Sequence, residues 1–309
     1  MKVISASYRT DIPAFYGEWF MNCVREGYVR YHNPFGPQVV TVSLKPEDVH
    51  ALVFWSKNFA PFLKHLNELD ERGLDFYFHY TINGQPRVFE ERVPPVEQAI
   101  ETFLRLSNRY SKKHVMWRYD PILFSNITDE NWHLETFGHI SRSLEGATER
   151  CYISFADLDY VKTARNMANL PSEVRVDDPE EHIKIELALK LAEIAKNRGM
   201  QVFTCAEDFA AVGPIQKGAC VDKDVLDTLW PDKARKLKLS SNRGKCGCYD
   251  SRDIGAYDTC PHGCVYCYAV RNRPLALKRY RGHDPTHDAL IKRGRKEPPG
   301  PEQLSLFQK

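Results

Sequence analysis

Short apolar runs rich in β-branched and aromatic residues alternate along this chain with longer amphipathic stretches. The runs are KVISAS, ALVFWS, LDFYFHYTI, HVMWRYDPILF, RCYISFADL and MQVFTC, with QVVTVSL as an additional one near the start. Amphipathic segments such as VEQAIETFLRLSNRYS and EEHIKIELALKLAEIAKNRG separate them. This alternation predicts an α/β fold with a parallel sheet. Six or more successive strand–helix units favour a (β/α) TIM-like barrel, closed or partial, over an open doubly wound sheet.

Composition and hydropathy narrow the class of protein further. The chain has 309 residues, of which 42% are hydrophobic and 27% charged, as expected for a globular protein with a sizeable core. No apolar run approaches the roughly 18 residues that a membrane span needs. The start, MKVISASYRTDIP, also lacks a basic region followed by an apolar stretch. We therefore expect a cytoplasmic protein with no membrane partner.

The composition changes toward the C terminus. Seven of the nine cysteines fall between residues 205 and 267, and residues 271–309 carry ten Lys or Arg against four Asp or Glu. In a reducing compartment such a cysteine cluster indicates a metal site rather than disulfides. We predict a barrel domain at 1–219, a cysteine-rich metal-binding segment at 220–275 packed on the barrel mouth, and a basic tail at 276–309.

Polar side chains follow most of the predicted strands. The carboxyl ends of the strands in a β/α barrel meet at one mouth, so these side chains should share a pocket. Three cations among them suit phosphate or carboxylate groups, and three carboxylates can balance them. Alternatively, each is an ordinary helix cap or ion pair. The candidate catalytic residues are Arg9, Asp11, Lys57, Arg118, Asp120 and Glu207, with Asn58 as a candidate cofactor-binding residue.

The most specific motif lies in residues 245–269, KCGCYDSRDIGAYDTCPHGCVYCYA. Cys260, Cys264 and Cys267 have the spacing C-x3-C-x2-C, which can bring three thiolates to one [4Fe–4S] cluster and leave its fourth iron open. Zinc is the alternative, but thiolate zinc sites usually join two separate C-x2-C pairs. The triple therefore favours iron–sulfur.

Four further cysteines form a candidate second metal site: Cys205, Cys220, Cys246 and Cys248. It would hold a second [4Fe–4S] cluster or a structural zinc, or one of its thiols would complete the first cluster. Alternatively, Cys205 and Cys220 are simply small buried residues. Three histidines are additional candidate ligands or proton carriers, namely His262, His283 and His287.

The segment TCPHGCVYCYA resembles the cluster loop of the radical SAM superfamily. The resemblance implies that Cys260, Cys264 and Cys267 hold a [4Fe–4S] cluster, that S-adenosylmethionine chelates the fourth iron, and that Tyr266 occupies the aromatic position before the last cysteine. In ordinary radical SAM enzymes this loop follows the first barrel strand, whereas here it lies near the C terminus. Together with ISASYRTDIPAFY, VFWSKN, WRYDPI, SFADL and TCAED, it makes nearly the whole chain similar to an uncharacterised bacterial and archaeal family.

Two functions of different classes remain open. The first is a radical-SAM-like enzyme with a cluster reductant and a small-molecule or nucleic-acid-derived substrate at the barrel mouth. The second is an iron–sulfur or zinc protein that associates with nucleic acid or a sliding clamp, since QLSLF, Gln303 to Phe307, resembles the bacterial clamp-binding peptide. Alternatively, Leu304, Leu306 and Phe307 simply fold back onto the protein's own surface. Residues 1–270 carry 37 Asp or Glu against 33 Lys or Arg, and this acidic main body favours the enzyme.

Overall fold

The computed structural model describes residues 1–34, 36–159, 161–204, 211–233, 238 and 247–292. The strands are β1 (Lys2–Ala6), β2 (Tyr28–His32), β3 (Val39–Ser43), β4 (Val49–Ser56), β5 (Phe76–Thr81), β6 (Val115–Ile122), β7 (Arg150–Phe155), β8 (Gln201–Thr204), β9 (Gln216–Lys217) and β10 (Ser251–Asp253). The helices are α1 (Ile12–Phe15), α2 (Gly17–Glu26), α3 (Leu66–Glu71), α4 (Val96–Arg109), α5 (Glu130–Ser143), α6 (Val161–Met167), α7 (Glu181–Lys196), α8 (Lys223–Leu229) and α9 (Arg273–Arg281).

Eight of these strands form one sheet in the order β10-β1-β4-β5-β6-β7-β8-β9. Each neighbouring pair in it is parallel. The predicted α/β class and parallel sheet are therefore confirmed. The run QVVTVSL is also a strand, but it pairs with β2 in a separate antiparallel ribbon. In the part of the chain that is described, no helix has the length and apolar character needed to cross a membrane.

Side chains alternate between the two faces of the main sheet, as the pleat of a strand requires. On one face, residues such as Leu52 and Phe78 join the amphipathic helices in the largest core cluster. Helix α4 contributes Phe103 and Leu106 to it from a single stripe. This face therefore carries the helical layer.

The opposite face of the sheet holds a second apolar cluster. Strands β1, β4, β5, β6, β7 and β8 each contribute to it, and α8 packs against them through Val225 and Leu226. The contributing strand residues include Val3, Val53, Tyr77, Met116, Tyr152 and Phe203. This face of the sheet is therefore covered by α8 and the residues around it.

Candidate functional site

A cavity of about 350 Å³ lies at the carboxyl ends of β1, β4, β6 and β7. Its size suits a small molecule. The cysteine-rich segment supplies the rest of the wall, so strand-end residues and cysteines face one space. The predicted site residues that line it are Arg9, Asp11, Lys57, Arg118, Asp120, Cys220, Cys248, Cys260, His262, Cys264, Tyr266 and Cys267.

Other predicted site residues lie elsewhere. Asn58 is not in the cavity wall. Its side chain is held locally, since Oδ1 accepts a hydrogen bond from the N–H of Ala60, two residues further along the chain. His283 and His287 lie beside α2, where His283 packs edge-on against Tyr16. Four predictions fall outside the described residues: Cys205, Glu207, Cys246 and the peptide Gln303–Phe307.

Asp11 joins three parts of the site. Its carboxylate accepts hydrogen bonds from the Ser56 hydroxyl at 2.7 Å, the Lys57 N–H at 2.8 Å and the Ala14 N–H at 2.9 Å. The segment from Cys260 to Cys267, which carries three cysteines, is called the cysteine loop below. Its His262 donates a hydrogen bond to Asp11 from Nε2 at 2.7 Å. With its oxygens fully used and 6% of its surface exposed, Asp11 holds the end of β4, the start of α1 and the cysteine loop together. We therefore assign it a positioning role.

Lys57 forms an ion pair with a carboxylate from a different loop. Its Nζ lies 2.8 Å from Glu90 Oε1 and 3.2 Å from Asn83 Oδ1, and the Tyr266 hydroxyl donates to the same Glu90 oxygen. Burial works to lower the pKa of Lys57, but Glu90 and Cys264 outweigh it, so the pKa is raised. The ammonium therefore stays charged beside Cys264.

Arg118 lies in the middle of β6 and is held by Asp120, whose Oδ2 accepts a hydrogen bond from Nε at 2.9 Å. The Ser154 hydroxyl donates to the other oxygen of this carboxylate. From Nη1, the guanidinium donates to Cys220 Sγ at 3.3 Å, and it lies 5.5 Å above the ring of Trp55. These contacts fix the orientation of the Arg118 guanidinium in the cavity wall.

Arg9 is placed by Asp253, at the end of β10. Asp253 accepts from the Ser7 hydroxyl, the Tyr8 N–H and the Gly255 N–H, each at 2.9 Å, and lies 3.7 Å from Arg9 Nε. A Cβ on Gly255 would lie 2.0 Å from Ser7 Oγ, so only glycine permits this close approach. The carboxylate thereby joins β10 to the end of β1.

The cysteine loop is anchored by backbone contacts. Val265 N–H donates to Phe89 O at 3.0 Å, and Glu90 and Cys264 form an antiparallel bridge. On the other side, Tyr16 donates from its hydroxyl to Thr259 O at 2.6 Å. The loop therefore has fixed neighbours at both ends.

The loop presents Cys260, Cys264 and Cys267 to the same cavity, and each of these residues as a whole is partly exposed. Burial, together with Asp11, raises the pKa of Cys260. Burial and Glu90 raise that of Cys264, while Lys57 opposes this increase. Three thiols with a fixed cation at one wall fit the ligand set of a cluster. Among the described residues, no group of three or more His, Cys, Asp or Glu side chains is arranged to hold a single metal ion.

Two further cysteines line the cavity from the interior of the sheet. Cys248 Sγ accepts a hydrogen bond from the Cys220 N–H at 3.2 Å, while the Cys220 carbonyl accepts from His79 Nε2 at 2.8 Å. Burial, with Arg118 as the next cause, lowers the pKa of His79 to about 4, so this ring is a neutral donor. The ring also stacks on Trp55 at 4.3 Å.

The residues of this site that were not predicted from the sequence include Glu90, Ser154 and Asp253. Ser154 is one residue before the end of β7, where alternation along the strand could have placed it at the mouth. Glu90 comes nine residues after β5, and Asp253 ends a three-residue polar strand. Neither of these carries a local signal.

The fold and site define an α/β protein with a cysteine-lined cavity at the carboxyl edge of a parallel sheet. Residues 3–269 match the family model described as "Domain of unknown function (DUF1848)", and the chain belongs to this family. No curated protein matches the chain. Among solved structures, one titled as a "putative alpha-L-fucosidase" from Bacteroides thetaiotaomicron is 14% identical, with a TM-score of 0.30 over 77% of this chain and 85% of that chain.

Proposed function

We propose that the protein is a radical-SAM-like iron–sulfur enzyme that acts on a small-molecule or nucleic-acid-derived substrate in the cavity at the carboxyl edge of its sheet. Cys260, Cys264 and Cys267 would hold a [4Fe–4S] cluster, with S-adenosylmethionine at the iron that no loop cysteine binds. The observation that carries the proposal is that all three thiols line the same cavity as the polar strand ends. When bound, this pair of cofactors would supply one-electron chemistry and hydrogen abstraction.

The side chains of the cavity would bind and orient the substrate. Each of the three cations has its own carboxylate: Asp253 for Arg9, Glu90 for Lys57 and Asp120 for Arg118. These pairs keep the N–H groups in fixed directions, as charge-assisted hydrogen bonds to an anionic or carbonyl group require. Tyr266 would lie against the cofactors, next to two of the cluster thiols.

The finer fold assignment is that the sheet curves into a TIM-like barrel, closed or partial. Support comes from the second apolar cluster, to which β1 and β8 both contribute although four strands separate them in the sheet. Polar groups at the carboxyl ends and an apolar interior beneath them are typical of this architecture. The barrel at 1–219, the cysteine-rich segment at 220–275 and the tail at 276–309 stay predictions as separate units, as does the cytoplasmic location.

The second metal site would use Cys220 and Cys248, with Cys205 and Cys246 as the remaining ligands. The hydrogen bond from the Cys220 N–H to Cys248 Sγ brings the two residues into direct contact at the cavity wall. A second [4Fe–4S] cluster and a structural zinc both suit thiolate ligands, so metal analysis must distinguish them. The clamp-binding role of Gln303–Phe307 stays a prediction from the sequence.

Anaerobic purification followed by iron, zinc and sulfide analysis tests the proposal. We expect about four irons per chain for one cluster, or about eight with a second. The electron paramagnetic resonance spectrum of the dithionite-reduced protein should change when S-adenosylmethionine is added. Iron without a response to S-adenosylmethionine would leave a structural or electron-transfer cluster, and zinc without iron would refute the enzyme.

A further inference from the structure

Helix α9 lies against the cysteine loop and is strongly basic. Four of its nine residues are Lys or Arg, and none is Asp or Glu. Arg273 donates from Nη2 to the carbonyl of Gly263 in the loop at 2.5 Å, and Arg279 donates from Nη1 to the carbonyl of Tyr257 at 3.0 Å. These contacts fix the helix beside a wall of the cavity.

Two cations of α9 keep their full charge at the surface. Lys278 and Arg281 are exposed, and neither side chain forms an ion pair or a hydrogen bond with any described residue. Because they are three positions apart on a helix, they lie on the same side of it. Neither lines the cavity, so a small anion bound there would not contact them. They suit the phosphates of a ligand that extends beyond the cavity.

Tyr280 adds an aromatic ring to this basic surface. Among the large apolar residues that are exposed in the described part of the chain, it is the only aromatic one, at 40%. Its ring makes edge-to-face contacts with Phe15 at 5.5 Å and Tyr16 at 5.8 Å, and Phe15 packs on His262 of the cavity wall at 4.7 Å. Proteins that bind single strands combine cations along the backbone with rings on which unpaired bases stack.

Arg9 continues the basic surface into the cavity. The other two cations of the cavity wall, Lys57 and Arg118, already donate hydrogen bonds to neighbouring side chains. Arg9 lies 3.7 Å from Asp253, and its Nη1 and Nη2 have no hydrogen-bond partner among the described residues. Neither of these two atoms is buried. The guanidinium lies 5.4 Å from the ring of Tyr257, the residue whose carbonyl holds α9, and its open N–H groups fit a phosphate.

We propose that the protein binds a single-stranded nucleic acid across α9, with one base stacked on Tyr280 and one phosphate bound by Arg9 in the cavity. Lys278 and Arg281 would bind further phosphates of the same strand. The helix is about 13 Å long, so these contacts need a polymer rather than a mononucleotide. The bases of a duplex are stacked on one another, which favours a single strand at Tyr280. The inference names a polynucleotide as the substrate class, and it rests on the proposed function only for the nucleotide in the cavity.

Fluorescence anisotropy with a labelled oligonucleotide of mixed sequence tests this surface on the full chain, purified anaerobically. We expect saturable binding whose affinity falls as the salt concentration rises. DNA and RNA strands of the same sequence identify the preferred sugar. The corresponding duplex and inorganic polyphosphate serve as probes that supply phosphates without an unpaired base.

Five variants separate stacking from charge. Tyr280→Leu keeps an apolar contact but removes the ring, so it should weaken single-strand binding by about fivefold or more and leave polyphosphate binding unchanged. Tyr280→Phe should bind as the wild type does. Lys278→Gln, Arg281→Gln and Arg9→Gln should each reduce the slope of log affinity against log salt by about 0.7. As the matched control, Lys196→Gln, at an exposed position of α7, should leave the slope unchanged.

The assignment would be overturned by wild-type affinity in Tyr280→Leu, by equal losses of oligonucleotide and polyphosphate binding in that variant, or by unchanged salt slopes in both Lys278→Gln and Arg281→Gln. Absence of oligonucleotide binding at low salt would overturn it as well. The spectral response to S-adenosylmethionine is measured on the same preparation. Oligonucleotide binding without that response would support this inference and refute the proposed enzyme, whereas the response without binding would refute only the inference.

Discussion

Two groups of cysteines line the same cavity, and they differ in their separation along the chain and in their exposure. The loop cysteines, Cys260, Cys264 and Cys267, come from eight consecutive residues and remain partly exposed. The interior pair, Cys220 and Cys248, comes from segments 28 residues apart and is 9% and 4% exposed. Their sulfurs already accept hydrogen bonds, from Arg118 at Cys220 and from a backbone N–H at Cys248.

Cysteines can therefore reach one cavity in two ways, from a short sequence motif or through tertiary packing of segments that are distant in the chain. Chain spacing alone keeps the loop thiols close, whereas the interior pair meets only because the sheet and the segment before α8 pack together. Each group also has its own cation, Lys57 beside Cys264 and Arg118 beside Cys220. The two groups should therefore respond separately to substitution.

The largest expected effect follows from removing a loop thiol. Cys264→Ala should lose nearly all of the iron of the first cluster, because a loop with two thiols cannot replace the missing ligand. Iron analysis and the visible absorption spectrum measure the loss. Cys23→Ala removes a buried cysteine on α2 that does not line the cavity, and it should retain its iron. Equal iron content in both variants would show that the loop is not the ligand set.

The next effect concerns the interior pair. Replacing both Cys220 and Cys248 with serine should remove one metal site, seen as a loss of about four irons or of one zinc. The spectral response to S-adenosylmethionine should persist, because the loop cysteines are unchanged. If both metal content and spectrum match the wild type, the interior pair is structural. If the response to S-adenosylmethionine also disappears, the two groups form a single site.

Much of the fold could be predicted from the sequence because its signals are local. Apolar runs rich in β-branched and aromatic residues identified β1 and the strands from β3 to β8, and amphipathic stripes identified α4 and α7. The strand β10 escaped prediction, since Ser251, Arg252 and Asp253 form no apolar run. Its place in the sheet depends on pairing with β1 and on the hydrogen bonds that Asp253 accepts.

The site divides in the same way. Residues that come within three positions of a strand end, such as Arg9 and Lys57, could be assigned to the cavity because strand ends share an edge. Glu90 could not be, because its contact with Lys57 depends on the path of the long loop between β5 and α4. Asn58 follows a strand as well, yet its side chain bonds locally to the backbone of Ala60. Adjacency to a strand end therefore identifies candidates without fixing where each side chain points.

The third prediction concerns Lys57, the cation beside the loop cysteine Cys264, and its contribution to stability. Lys57→Met should lower the free energy of unfolding by about 3–5 kcal/mol, because it leaves the buried Glu90 carboxylate without its partner. Denaturant unfolding under anaerobic conditions measures the change. Lys64→Met is the matched control, since its side chain is 70% exposed and it should change stability by less than about 1 kcal/mol.

A double variant separates loss of the pair from loss of packing. Lys57→Met combined with Glu90→Gln removes the unpaired charge, so it should recover part of the stability that the single variant loses. If the double variant is as unstable as the sum of both single variants, the ion pair contributes nothing beyond its individual side chains. The cation of the loop cysteines would then matter only through packing.

The smallest effect is the part of the pH dependence of stability that comes from His133, which lies outside both cysteine groups. His133 is buried on α5, where Nε2 donates to Leu123 O at 3.1 Å and Nδ1 accepts from the Tyr119 hydroxyl at 2.9 Å. Burial lowers its pKa from 6.5 to about 4 in the folded protein, although the Leu123 carbonyl and Asp129 oppose the decrease. The unfolded chain therefore binds a proton between pH 6.5 and 4 that the folded chain does not.

The contribution of His133 to stability should consequently be lost as the pH decreases through this window, by about 3 kcal/mol when the full shift is expressed. Denaturant unfolding of the wild type at pH 7 and pH 4.5 measures the slope. His133→Gln should be less stable at pH 7 yet show a smaller loss on acidification, whereas His182→Gln, at an exposed position, should follow the wild type. An unchanged slope in His133→Gln would place the acid sensitivity elsewhere. In that case, the group responsible for the acid sensitivity would have to be identified before the loop cysteines and the interior pair were compared at low pH.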